Sequence, residues 1–548
     1  MNNKISHSDI FIWFTGIALG ITLIMIVGML ILIIGNGSDY YVPKQIVSIT
    51  TNDNQVFLGQ IIKFQNSDSK SGTAEIENNH SRVQIRVANR DYYGYDFIWL
   101  DMEEILEVDY TPDDAFIVER LEFGNFFGYI EGVLINNHKY EYGSEQFESK
   151  FAKYLEYSEK LRNEINQIES NEISSVNFQI DKSRTKIKKL DYEQRLKNVD
   201  NSKEIRQLEN NIEILNNKYF FYRDITDSLL KISSNYTVLL RAANGYTKSL
   251  PLIQVFRAYQ PNIMNFWDKI IFAIEKIISF ISSEPRESNT EGGIFPAIFG
   301  TVLMVMLMSL AAVPLGVLTA LYLREYANQV WMVRVVRIAV NNLAGVPSIV
   351  FGIFGLGFFI YTVGGTIDQL FFPESLPAPT WGTGGILWAS LTLALLTVPV
   401  VIVSTEEALE SIPLGIREAS MALGATKWQT TYRIILPAAA PGIMTGVILA
   451  MARGAGEVAP LMITGVVKLA PALPFDWNFP FFHLDRKFMH LGFHIYDVGF
   501  QSPNIEAAIP MVYMTTLLLI LIVLLLNITA ITIRTRLRRK FKGMEEMS

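Results

Sequence analysis

REASMALGATKWQTTYRIILP, Arg417–Pro437, is a polar stretch set between two long apolar runs. Glu418, Ala419 and Ser420 are followed by Gly424 and then by Ile434, Leu436 and Pro437. This reads as a short helix, a glycine able to take positive φ, and a second short helix that stops where Pro437 removes a donor. Upstream, Glu406-Glu407-Ala408-Leu409-Glu410-Ser411-Ile412-Pro413 completes one charged segment. Such a hairpin presents one face to a partner.

The runs on either side fix the class of fold. A membrane span needs about 20 apolar residues. Gly384–Ser404 precedes the hairpin and Ala438–Val467 follows it, and Ile10–Ile34, Phe295–Leu323, Ile338–Val363 and Ala507–Ile533 have the same character, six candidates in all. The chain of 548 residues is 50% hydrophobic and 18% charged, with a mean hydropathy of +0.23, too apolar for an ordinary soluble protein of this length. The first run exceeds a usual signal-peptide core and no small-residue cleavage pattern follows it, so a retained anchor is expected.

Lys and Arg favour the cytoplasmic side of spans. Arg534, Arg536, Arg538, Arg539, Lys540 and Lys542 follow the last run, and Arg324, Arg334 and Arg337 follow the second, while the loop after the third has no Lys or Arg. Both termini and the hairpin are therefore expected in the cytoplasm, and residues 36–293 outside it. The expected organisation is an anchor over 1–35, a β-rich extracytoplasmic region over 36–140, a helical hairpin with its connector over 141–293, a five-span core over 294–535 and a basic cytoplasmic tail over 536–548.

In the β-rich region, Gln55–Phe64, Arg82–Ala88 and Phe97–Leu100 are short strand-like runs bounded by turn residues. Beyond it, Leu161, Ile165 and Ile168, then Ile205, Leu208, Ile212, Leu215, Tyr219 and Tyr222, follow the spacing of a coiled-coil seam. Asn198-Val199-Asp200-Asn201-Ser202 reads as the turn between two antiparallel helices, with Asn201 and Glu204 as a capping box. A spacer, a pair packed on the β region and a docking surface all remain open for it.

Within the six candidate spans, the ionisable residues away from the ends are Arg453 and Glu457. A charge at mid-membrane costs at least ~2.5–3.5 kcal/mol, so it persists where it faces protein or a water-filled path. Arg453 is the candidate anion contact, because guanidinium donates two parallel hydrogen bonds and stays charged. Glu457, four residues on, is expected on the same helical face, holding the guanidinium and limiting the anion's affinity. A purely structural ion pair is the competing reading. Gly345, Gly352, Gly355 and Gly357 are expected to serve helix packing, with Pro347 kinking or opening their helix.

His483, His490 and His494, with Asp485 and Asp497, fall in the last outer loop. No HExxH is present, and loop hydrogen bonding rather than a metal is expected of them. There are no cysteines, which excludes disulfides and thiolate chemistry, and no G-x-x-x-x-G-K-[ST], so this chain offers no Walker nucleotide site. No cofactor is expected on the chain itself.

The spacing E-A-[AS]-x3-G-x9-I-x-L-P resembles the coupling-helix signature of ABC importer permeases. That resemblance implies a type I permease fold with six transmembrane helices, mainly α, here carrying an inserted α+β domain. It also implies that Arg417, Glu418, Ala419, Ser420, Gly424, Ile434, Leu436 and Pro437 form an element docking on a cytoplasmic ATPase. Asn341–Gly352, Arg417–Trp428, Arg453–Leu461 and Phe493–Asp497 look like the PstA permease family of phosphate-specific transport, in a long form with the insert. The resemblance covers about residues 250–535 and the N-terminal run. The family implies a homologous second permease, an ABC ATPase dimer that uses ATP, a periplasmic phosphate-binding protein and membrane lipid as partners, and no nucleic acid. Another oxyanion, such as sulfate or molybdate, is the alternative substrate. A membrane sensor is a further alternative, though the short tail leaves little room for an output domain.

Overall fold

The computed structural model of the chain describes residues 7–66, 80–197, 199–286, 289–328, 331–502 and 505–545. It forms two compact units, Met1–Ser38 with Ile294–Ser502 and Ile509–Ser548, and Asp39–Gly293 with Pro503–Ala508. Helix α1 (His7–Tyr41) carries the first apolar run. The turn residue Asn198 and the last residues of the basic tail, 546–548, lie outside the described residues.

The unit starting at Asp39 is built on two antiparallel sheets. The first has the order β4-β3-β2-β1-β5, from β1 (Val47–Thr51), β2 (Val56–Asn66), β3 (His80–Arg86), β4 (Phe97–Asp101) and β5 (Ile105–Asp109). Alternation does the sorting: in β1, Val47 and Ile49 are buried while Ser48 and Thr50 are less so. Between β3 and β4, the short helix α2 (Arg90–Tyr93) brings up Asp91, which accepts from Nη1 and Nη2 of the buried Arg120 at 3.1 and 3.0 Å. Burial raises the Asp91 carboxyl, but the hydrogen bonds from Arg120 and Lys248 outweigh it and hold the group below its ordinary value.

The second sheet has the order β10-β9-β7-β6-β11, with β8 on the side of β7. Its strands β6 (Phe116–Arg120), β7 (Asn125–Ile135) and β8 (His138–Glu141) precede a long helical excursion, and β9 (Tyr236–Arg241), β10 (Thr247–Pro251) and β11 (Val255–Tyr259) follow it. The division expected at residue 140 is therefore not a division of the fold, because the connector returns three strands to the same sheet. The excursion comprises α3 (Phe147–Gln167), a π-helical turn at Ile168–Ile173, α4 (Ser174–Lys197) and α5 (Ser202–Ser233). Val176 and Ile180 meet Leu215, flanked by Ile212, Tyr219 and Tyr222. The capping box expected from Asn201 and Glu204 does not form. Asp200 takes the amide of Ser202 at 3.0 Å, Asn201 turns back to donate to the Leu190 carbonyl at 3.1 Å, and Glu204 pairs with Lys186 at 2.7 Å across the hairpin. Helix α6 (Phe266–Ser282) closes the unit and starts with a full capping box, Asn265 with Asp268.

The other unit holds α7 (Phe295–Leu321), α8 (Trp331–Leu343), α9 (Ser348–Phe354), α10 (Gly365–Phe371), α11 (Ile386–Glu410), α12 (Leu414–Ala422), α13 (Lys427–Thr430), α14 (Leu436–Gly456), α15 (Ala459–Thr464), α16 (Leu491–Tyr496) and, from Ile509 on, α17 (Ile505–Glu545). Among the described residues, six helical stretches are long and apolar enough to cross a membrane: Ile12–Ser38, Phe295–Tyr326, Ser348–Phe371, Ile386–Glu410, Lys427–Gly456 and Ile505–Arg536. The chain is a mainly helical, multi-pass membrane protein with an additional sheet-containing domain. Helix α11 is the hub. Its most apolar window is 67% buried, against 6% for α1, and its Ala389, Leu393 and Leu396 pack with Met304, Val305 and Met308 of α7. On its other side, a Cβ at Gly442 or Gly446 of α14 would come within 2.4 and 2.6 Å of the Cβ atoms of Ala408 and Ser404, so the α14 backbone lies directly on small side chains of α11. The first amides of α11, which an apolar surrounding cannot hydrate, donate instead to loop carbonyls, Ile386 to Arg486 at 2.9 Å and Leu387 to Leu484 at 3.0 Å.

Two span boundaries differ from those expected. The third span is not Ile338–Val363: α8 stops at Leu343, the chain turns through Gly345 and Val346, and a new helix starts at Ser348 behind an extended Pro347 (φ −55°, ψ 135°). The residue before a proline is pushed out of the α region, and so Pro347 separates two helices instead of kinking one. The fifth span is not Ala438–Val467. It runs Lys427–Gly456 straight through Pro437, because a π-helical turn at Thr431–Ile435 rearranges the pairing where the proline has no N–H to give. The basic tail is a continuation of α17, which is helical to Glu545.

Candidate functional site

The hairpin after α11 consists of α12, a turn at Gly424 and α13. Gly424 has φ +88°, and a Cβ there would meet no atom within 4 Å, so its requirement is conformational. The α13 helix starts at Thr426, whose hydroxyl accepts from the Gln429 amide at 3.2 Å while Gln429 accepts from the Thr426 amide at 2.9 Å. Ser420 is buried and shares a 2.8 Å hydrogen bond with Thr430. Its small size closes the hairpin on itself, whereas the sequence suggested that it faced an outside partner. Glu418, Ala419 and Gly424 are exposed, as is Leu423 at 89%, with Leu414, Met421 and Trp428 also bare. Trp428 stacks on Tyr432 at 5.8 Å. Ile434 is exposed, and Leu436 and Pro437 are half-buried at the start of α14, within the fifth span.

Arg417 ties this hairpin to the bundle. Its Nη1 donates to the Ile412 carbonyl at 2.7 Å, and its Nη2 to the Leu409 carbonyl at 2.8 Å and to Glu325 Oε1 at 3.0 Å. Two further pairs join neighbouring helices, Arg337 of α8 with Glu406 at 3.1 Å and Arg324 with Glu410 at 3.4 Å. Sequence reading counted Arg324 and Arg337 only as topology signals, placed Glu406 and Glu410 in the charged segment without their partners, and missed Glu325. The available signal was the density of carboxylates at the ends of the second and fourth spans.

At the other end of the fifth span, Arg453 lies in the last turn of α14, where a helix C-terminus favours a cation. Glu457 is not on the same helical face, since the helix ends at Gly456 and Glu457 is extended (φ −80°, ψ 130°). The two side chains still approach to 3.8 Å between Nε and Oε1, and both are partly exposed. The break follows from the next segment: Pro460 sits in the first turn of α15, and its backbone lies against Gly352 of α9, where a Cβ would stand 2.8 Å from the Pro460 Cα. Gly355 is likewise pressed on Thr392, but Gly357 faces open space and Gly345 meets only the Asn342 carbonyl, so those two serve no packing within the chain. Beside the break, a groove of about 360 Å³ is lined by Gly456, Leu519, Ile520, Val523, Leu524 and Asn527. Asn527 Oδ1 is buried there without a hydrogen-bond partner.

The histidines take separate places. His483 Nε2 lies 3.0 Å from Asp476, which also accepts from Arg486 at 2.7 Å. His490 caps α16 by accepting from the Gly492 amide at 3.1 Å. His490 and His494 are buried with Nε2 unpaired, and burial pushes them down to about 3 and about 4, helped in His494 by Lys468. Asp497 pairs with Lys468 at 3.2 Å. No group of three or more metal-ligating side chains occurs among the described residues. The sequence reading also missed Asp368, fully buried at the end of the third span, whose Oδ1 accepts from the Trp381 amide at 2.9 Å and Oδ2 from the Gly382 amide at 2.6 Å.

Residues 312–543 match the family of the "Binding-protein-dependent transport system inner membrane component". The phosphate transport system permease protein PstA of Mycobacterium leprae is 41% identical over 185 residues, 34% of this chain and 54% of that protein. The probable ABC transporter permease protein YqgH of Bacillus subtilis is 34% identical over 204 residues, 36% of this chain and 62% of that protein. The same organism's probable ABC transporter permease protein YqgI is 33% identical over 236 residues, 42% of this chain and 74% of that protein. The chain thus spans about half the length of the Mycobacterium protein. Apolar helices around α11, with a charged hairpin between the fourth and fifth spans, define a multi-pass membrane subunit. The chain belongs to the family of binding-protein-dependent transport system inner membrane components, and the resemblance to PstA permeases read from its motifs is matched by the Mycobacterium relative. The family match leaves residues 39–293 outside it.

Proposed function

We propose that the chain is the permease subunit of an ATP-driven importer that carries inorganic phosphate across the cytoplasmic membrane by alternating access. The observation that carries this reading is the Arg453–Glu457 pair at the break between α14 and α15, partly open and 3.8 Å apart. An arginine not saturated by its carboxylate can donate its planar fork to a tetrahedral oxyanion, and Glu457 keeps the anion exchangeable by competing for the same donors. Likeness to a relative named as a phosphate permease supports phosphate among such anions. The hairpin from Arg417 to Pro437 is the docking element for a partner ATPase, which supplies the nucleotide chemistry. Both termini lie in the cytoplasm and the inserted domain outside it. A homologous second permease completes the path, and a phosphate-binding protein delivers the substrate.

The test is uptake of labelled phosphate in cells lacking this chain, complemented with wild type, Arg453→Gln or Arg453→Lys, with membrane levels checked by blotting. Wild type restores uptake, Gln abolishes it, and Lys, which keeps the charge but loses the fork, retains a small part. Full uptake with Arg453→Gln would remove the residue from the path. Restoration of sulfate or molybdate uptake instead would move the substrate to that anion.

A further inference from the structure

Helix α6 carries apolar residues on two sides. Inward, Phe272 and Phe280 are buried. Phe272 tilts against Tyr259 at 4.5 Å, and Phe280 takes the rings of Tyr40 and Tyr41 at 5.5 and 5.8 Å. Lys276, on the same side, reaches Glu119 at 3.6 Å. Outward, Trp267, Ile271, Ile274, Ile278 and Ile281 recur at spacings of four and three, which is one face of a helix. Ile271, Ile274 and Ile278 are 56%, 52% and 60% exposed. The exposed Asp268 and Glu275 lie along one flank of that face. Single exposed isoleucines are ordinary, but a continuous stripe with an aromatic end is not a surface that water sustains without purpose.

The neighbouring chain says what covers it. Tyr40 and Tyr41, which hold Phe280, are the last two residues of α1, whose Ile12–Ser38 stretch includes an 18-residue window with a mean hydropathy of 3.1. The second apolar helix begins at Phe295, shortly after α6 ends at Ser282. The C-terminal end of α6 is thus fastened where the chain leaves one membrane helix, and the chain enters the next soon after it. An amphipathic helix with an indole near one end suits the boundary between headgroups and acyl chains. We propose that α6 lies flat on the membrane surface with its isoleucine stripe in that boundary, so that lipid is its partner. The inserted domain then rests on the bilayer through a surface of its own.

The chain has no cysteine, so a single Cys variant takes one nitroxide label. Full-length Ile271→Cys, Ile274→Cys and Ile278→Cys, with Glu275→Cys on the flank and Lys203→Cys on the hairpin as a water reference, are reconstituted into phosphatidylethanolamine–phosphatidylglycerol vesicles. Relaxation by oxygen and by a water-soluble nickel chelate is then compared. The stripe labels are expected to show an oxygen-to-nickel accessibility ratio several-fold above that of Lys203→Cys, with depths of about 5–10 Å, and Glu275→Cys an intermediate value. Equal nickel access at stripe and hairpin would overturn the proposal by placing the stripe in water. Protection of the stripe labels from both reagents would overturn it in favour of a protein cover.

Discussion

Arg417→Ala should open the hairpin without unfolding the bundle. The guanidinium satisfies the Leu409 and Ile412 carbonyls at the end of the fourth span and pairs with Glu325, and the two side chains are 12% and 9% exposed. Its removal leaves a nearly buried carboxylate and two carbonyls without donors, for which breaking a buried pair costs about 3–5 kcal/mol. Because the contacts are confined to residues 409–417 and Glu325, the loss falls on local opening. Each 1.4 kcal/mol is a tenfold change, so amide exchange across residues 412–430 in the purified chain should accelerate roughly a hundredfold or more, while α11 is unchanged. Arg417→Lys should fall between, since an ammonium can pair with Glu325 but cannot span both carbonyls. The double variant Arg417→Ala with Glu325→Ala should recover part of the loss, as no unpaired charge remains. If hairpin exchange in Arg417→Ala matches wild type, or the double variant is worse than the sum of the singles, the anchoring role is wrong.

Gly424→Asn should preserve ATPase copurification better than Gly424→Val, because φ +88° costs a branched side chain about 1–2 kcal/mol or more while no atom blocks a Cβ; equal loss would mean that an ATPase needs the space itself. Gly446→Val should lower the thermal midpoint markedly, since its Cβ would start 2.6 Å from Ser404, and an unshifted melt would show that α11 and α14 can separate freely. His490 and His494 are held neutral when folded and take up protons when unfolded, so stability is full above about pH 6.5 and declines as pH falls toward about 4, with a slope of at most about 1.4 kcal/mol per unit for each. Melts of the His490→Gln, His494→Gln chain between pH 7 and 4.5 should be flatter than wild type, and parallel curves would refute the assignment.

The apolar runs were readable because hydropathy over twenty residues is a sum that local detail cannot overturn. Their ends were not, because a proline's effect depends on what surrounds it: Pro347 separates two helices, and Pro437 is absorbed by a widened turn. The break at Pro347 moved the third span toward Phe371 and so hid Asp368, and the segment around Pro460 took Glu457 off the helix whose last turn carries Arg453. In the inserted domain, the helical seam stood out through its spacing, while β9 to β11 were overlooked although Asn244-Gly245 between two β-rich runs is a hairpin signal. Which strands those would join was a question of distant pairing that spacing along the chain does not encode. The hairpin motif identified the docking candidates, yet Ser420 turned out to hold the hairpin's own two helices together, a distinction that needs coordinates.

Helix α5 has 32 residues, which at 1.5 Å of rise per residue makes the arm from the second sheet to the turn near Asp200 about 48 Å long. The hydrocarbon core of a bilayer is only about 30 Å thick. The tip of this hairpin therefore stands farther from its own sheet than one face of a membrane stands from the other, and a binder at the tip could be larger than a small domain before it touched the strands.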